Sequence, residues 1–158
     1  MNRLTRAGDV IVALAHNLAA LLLAAATLLV FIQVVTRFVL GDAAVWSEVL
    51  ARGLIVWSTF LAAGAGFKLG AMIPIDFLRS LLPERGQLWV IRLVTLLTLI
   101  FLGVLVWYGL AMADRVSSQR VAMLDMPMSV FYYAIPVGAL LAVPGLMLRH
   151  LQAERGEL

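Results

Sequence analysis

Apolar residues fall in four long runs along the chain, parted by short polar or mixed stretches. The first runs from about Val10 to Val35, broken only by His16, Asn17 and Gln33; the second from Trp46 to Phe67; the third from Leu93 to Ala113; the fourth from Met128 to Leu148. A helix rises about 1.5 Å per residue, so a hydrocarbon layer of about 30 Å needs about 20 residues. All four runs qualify. Inside a bilayer each backbone N–H and C=O must be satisfied within its own segment, so the runs are helices and not open strands. The pattern predicts an all-α integral membrane protein, one membrane domain over residues 1–158 with four transmembrane helices (about 10–35, 46–67, 93–113 and 128–148).

One polar interval has a pattern of its own. From Ile73 to Pro83, Ile75, Leu78 and Leu82 share one helical face with Phe77 and Leu81 beside it, while Asp76, Arg79 and Ser80 make up the polar remainder. Pro74 suits a first helical turn and Pro83 an end. A short amphipathic interfacial helix over about 74–82 is expected, lying along the membrane surface. The competing reading is a plain hydrophobic loop tucked under the bundle.

Composition agrees with a lipid solvent. Of 158 residues, 63% are hydrophobic and 13% charged, against roughly 45–50% and about 25% in a soluble domain. No cysteine is present, which excludes disulfides, thiolate metal sites and thiol redox chemistry. The net charge of +3 is read as membrane topology and not as a nucleic-acid footprint. Arg3 and Arg6 before an apolar run resemble a secretory signal, with Ala24, Ala25 and Ala26 as a small-residue site. The run nevertheless continues to Val35, past the roughly 7–15 residues of a signal core, and a retained helix is expected.

The basic residues orient the spans. With both termini in the cytoplasm (N-in/C-in), Arg3, Arg6, Lys68, Arg79, Arg85, Arg92, Arg149 and Arg155 fall inside, and Arg37, Arg52, Arg115 and Arg120 fall outside or just within the outer leaflet, eight against four. The chain is therefore expected to be multi-pass in a bacterial inner (cytoplasmic) membrane, in contact with membrane lipids.

Charged groups at membrane depth are candidates for function. Glu48 and Arg52 stand four apart on the second helix, acid first, the order and spacing at which such side chains meet. Either they neutralise each other near the surface, or they face a partner. His16, Asn17 and Gln33 read as interhelical hydrogen-bonding groups, and Ala62, Ala63, Gly64, Ala65 and Gly66 as a close helix contact. Pro136 and Pro144 are expected to kink the fourth helix. No phosphate loop, metal-spaced His–Glu pair or Ser/His/Asp arrangement is evident; no enzyme activity, cofactor or metal is expected.

The residues also form an ordered series. Arg37-Phe38, Trp46-Ser47-Glu48, Ala51-Arg52, Trp57 with Phe60, a basic residue, Asp76 and Leu82-Pro83 make one part; Met126-Pro127 and Tyr133-Ala134-Ile135-Pro136-Val137-Gly138 make another. From about Gln33 to Val143 this resembles the small membrane subunit (small permease) of the tripartite ATP-independent periplasmic (TRAP) transporters. It departs at Val49, where the family usually has a second acid, and at Met72 and Pro74, in a stretch that commonly holds a histidine. The resemblance implies a scaffold for a large permease subunit that carries the substrate and sodium sites. It also implies a periplasmic substrate-binding protein that delivers an organic acid, sodium-coupled symport, and no nucleic-acid partner. It places Trp46, Glu48, Arg52, Trp57, Tyr133 and Pro136 at the subunit interface and Arg37 near the binding-protein docking surface. The alternative is a self-sufficient four-helix exporter acting as a dimer. Such exporters look for an acid in the middle of the first helix, where this chain has none.

Overall fold

The computed structural model describes residues 3–41, 44–69 and 84–154. Helix α1 spans Arg3–Val35 and passes into a wider, π-type turn, Thr36–Leu40. Gly41 ends it at φ 72°, its N–H donating to the Thr36 carbonyl; glycine reaches this left-handed conformation without a Cβ clash. Helix α2 is Val45–Leu69 and α3 is Glu84–Arg115. A one-turn helix, α4, Ser129–Tyr132, leads into α5, Ala134–Glu154.

Four stretches are long and apolar enough to cross a membrane, Thr5–Leu40, Val45–Leu69, Gly86–Arg115 and Ser129–Ala153. The described chain is an all-α, four-span membrane protein. The interfacial helix expected over 74–82 lies outside the described residues. The helices outrun the apolar stretches at their polar ends: α3 begins nine residues before Leu93, because Gln87 and Arg92 interrupt hydropathy but not helix formation. Pro136 interrupts the fourth span one turn before its own position. Pro136 stands in the first turn of α5, where no N–H is needed. The break falls at Tyr133, because the Tyr132 carbonyl lacks the donor that a non-proline residue 136 would supply. Pro144 lies inside α5.

Interhelical contacts fix the directions. Asp9 pairs with Lys68 at 2.8 Å, the Ser58 hydroxyl donates to the Ala19 carbonyl at 2.9 Å and Gln33 reaches Glu48, so α1 and α2 are antiparallel. Helix α5 runs parallel to α2, with Gly53 against Phe131, Gly138 against Phe60 and Gly145 against Gly64. It runs antiparallel to α3, with Thr95 Oγ1 and His150 Nδ1 3.0 Å apart and Gly109 against Pro136. Both described ends of the chain therefore lie at one end of the bundle, here the terminal end; the Gly41 turn marks the far end.

The core follows α5. Leu102 of α3 packs on Ala139, Ala142 and Leu146, with Ala63 and Phe67 of α2 against them, and Val12, Ala65 and Leu148 join α1, α2 and α5. Among the described residues the close backbone approaches of α3 are to α4 and α5. Glycine and alanine dominate the α2–α5 seam, as suits a solvent in which helices associate through close van der Waals packing and not through the hydrophobic effect. The buried polar side chains are Ser47, Ser58, Thr95 and Ser129, and no buried side-chain nitrogen or oxygen lacks a hydrogen bond among the described residues.

Candidate functional site

The polar cluster of the far end is built on both sides of the Gly41 turn. Gln33, near the end of α1, donates from Nε2 to Glu48 Oε2 at 3.0 Å. Arg52, one turn further along α2, donates from Nη2 to Glu48 Oε1. The carboxylate thus bridges two helices with one oxygen each. The Arg37 guanidinium adds a second favourable charge toward it. Helix α1 delivers Gln33 because the antiparallel α1–α2 pair folds back at the turn, and the i, i+4 spacing delivers Arg52.

The two members of the pair differ in surroundings. The Glu48 side chain is 42% exposed and met on both oxygens, whereas the Arg52 side chain is 75% exposed. Trp46 and Arg37 are exposed as well. Val45 and Trp46 share an open hollow of about 430 Å³ with Met123 and Leu124. Met123 sits at the tip of a small hairpin closed by the Arg120–Pro127 bridge and by Arg120 Nη1 on Asp125 Oδ1 at 2.7 Å.

The remaining expected interface residues are placed differently. Tyr133 is partly exposed and lines a second open hollow with Trp107, Leu110, Ala111 and Asp114. Trp57 is half-buried, its indole N–H donating to the Val130 carbonyl at 3.0 Å. Pro136 is fully buried against Gly109. Trp57 and Pro136 make contacts within the chain, Trp57 between α2 and α4 and Pro136 between α3 and α5. The bonds from Ser58 to Ala19 and between Thr95 and His150 escaped sequence reasoning; an isolated hydroxyl in an apolar run was the one signal available. His16 and Asn17 lie exposed on α1. No group of three His, Cys, Asp or Glu side chains that could hold a metal occurs among the described residues.

The family model of the tripartite ATP-independent periplasmic transporters, DctQ component, matches residues 26–155. The sialic acid TRAP transporter small permease protein SiaQ of Vibrio cholerae is 28% identical over 111 residues, which cover 70% of this chain and 64% of that protein. The sialic acid TRAP transporter permease protein SiaT of Haemophilus influenzae is 27% identical over 122 residues, 77% of this chain but 19% of that protein. The chain thus spans just under two thirds of the first relative's length and about a fifth of the second's.

Proposed function

We propose that this chain, which belongs to the DctQ component family of the tripartite ATP-independent periplasmic transporters and is a TRAP small permease, serves as the scaffold for a large permease subunit. That subunit takes up an organic acid with sodium, from a periplasmic binding protein. The observation that carries the reading is the character of the bundle. Its described interior holds hydroxyls and close-packed small residues, and its charged cluster stands at the surface near one end. A scaffold needs rigidity and an adhesive face; a transport site would need ionisable or coordinating groups facing a cavity.

The relatives add support. The matched stretch is a minor part of the Haemophilus permease protein, so a counterpart of this chain there belongs to a far longer polypeptide. Both relatives are named for sialic acid, itself an organic acid. On this reading Trp46, Glu48, Arg52 and Tyr133 meet the large subunit, and Trp57 and Pro136 support that surface from beneath. Arg37 lies toward the binding protein, the terminal end faces the cytoplasm, and residues 1–158 form one membrane domain. A self-sufficient exporter is the weaker reading, because the middle of the first helix, where such exporters look for an acid, has none.

Reconstitution tests the proposal. The binding protein and large subunit are placed in liposomes with and without this chain, and uptake is followed under a sodium gradient. Uptake that depends on all three components is expected. Full uptake without this chain overturns the reading.

A further inference from the structure

Helix α2 packs against α1 and α5, with α4 touching its far end, which leaves one side of it uncovered by described residues. On that side Val45, Arg52, Thr59 and Gly66 recur at seven-residue intervals and so form a nearly straight row down the helix. Val45, Arg52 and Thr59 are exposed, and a Cβ added to Gly66 would meet nothing within 4 Å. Lipid suits most of the row: Thr59 satisfies its own hydroxyl on the Ile55 carbonyl at 2.9 Å.

Arg52 is the exception. It lies about 10 Å along the axis from Val45, and its guanidinium carries five N–H donors. Its one hydrogen-bonded contact with a described residue is Glu48, whose second oxygen is already taken by Gln33. Among the described residues, Arg37, Glu48 and Arg52 together carry one net positive charge; Asp42, before the start of α2, lies outside them. A cation held at this depth needs an acceptor from outside the described cluster.

We infer that this row is the seat of a transmembrane helix of the large subunit, and that this helix presents a carboxylate to Arg52. The charge at the far end of the row fixes the depth and rotation of the incoming helix, and Gly66 lets its backbone approach closely. The inference rests on the reading of this chain as a small permease with a large membrane partner. It adds which face of which helix is used and what chemistry the partner brings.

The test is co-purification of tagged chain and large subunit from membranes. The wild-type pair is expected to co-purify; its failure to do so overturns the functional reading and this inference with it. With the wild-type pair intact, Arg52→Glu is expected to lower recovery about tenfold or more, and Arg52→Lys to change it little. Unchanged recovery with Arg52→Glu overturns the inference alone. Each Asp and Glu in the spans of the large subunit is then exchanged for Lys in the Arg52→Glu background. One exchange is expected to restore recovery; rescue by none overturns the carboxylate and assigns Arg52 to a lipid phosphate. The seat is also read without changing Arg52. The chain has no cysteine, so Thr59→Cys takes a single benzophenone-maleimide label. That label is expected to crosslink to the large subunit; a crosslink from Leu97→Cys on α3 with none from position 59 overturns the placement.

Discussion

The indole N–H of Trp57 donates to the backbone carbonyl of Val130 at 3.0 Å, joining the middle of α2 to a one-turn helix 73 residues later in the chain. A ring this size usually finds a hydrogen-bond partner when partly buried, and this one spends its bond on holding the start of the fourth span. Trp57→Phe keeps most of the ring and removes the donor. A loss of about 1 kcal/mol is expected, read as a lower midpoint of thermal unfolding in detergent. Trp57→Ala, which also removes the packing, is expected to cost more.

Gly145 lies so close to Gly64 that a methyl group on it would overlap the Gly64 carbonyl oxygen, and a Cβ on Gly64 would stand 2.8 Å from the Leu141 carbonyl. The neighbours there are backbone, which cannot turn aside. Gly145→Ala is expected to destabilise the bundle by about 1–3 kcal/mol. Gly103→Ala, where nothing lies within 4 Å, is the matched control and is expected to be neutral or mildly stabilising through helix propensity. Equal unfolding midpoints for the two variants would contradict the seam.

Ser58 is buried, with its hydroxyl on the Ala19 carbonyl. Removing the donor by Ser58→Ala is expected to cost about 1 kcal/mol, toward the upper end for interhelical hydrogen bonds in membranes. Because the bond links α1 to α2, faster hydrogen exchange around position 19 is the signature to seek. Exchange as slow as in the wild type would show that the bond contributes nothing.

Met123 adopts φ 67° at the hairpin tip and is exposed. A Cβ in this region costs about 1–2 kcal/mol, partly offset by the entropy that glycine loses on folding. Met123→Gly is expected to raise stability by up to about 1 kcal/mol, measured by thermal unfolding. A fall would mean that the Met123 side chain packs in the hollow beside Trp46 strongly enough to outweigh its strained backbone.

The four spans were legible because lipid demands long apolar runs. Helix ends were not, since hydropathy registers where the hydrocarbon stops and α3 continues past it to Glu84. The Glu48–Arg52 contact could be read from spacing alone. Gln33 as the third member could not, because its reach to Glu48 depends on how tightly the chain turns between them. The run from Ala62 to Gly66 announced a close helix contact without naming the other side. That side is α5, whose Gly145 looks unremarkable until Gly64 is placed against it. Pro136 read as an interruption of the fourth span, and the span is broken at Tyr133, one turn before it; which residue begins the final α-helix, Ala134, could not be read from composition.

Helix α3 makes its close backbone approaches to α5 and the short turn before it, and α2 reaches the Leu102 cluster through side chains alone. Chains are made from the N-terminus onward, and spanning helices are individually stable before they associate. The hairpin of α1 and α2 can therefore close while synthesis continues. The third span, once inserted, lacks its main described neighbour until the fourth emerges and docks on both. A ribosome stalled before Ala134 would leave a paired hairpin and a solitary helix adrift in the bilayer, and the completed fold would arrive in a single late step.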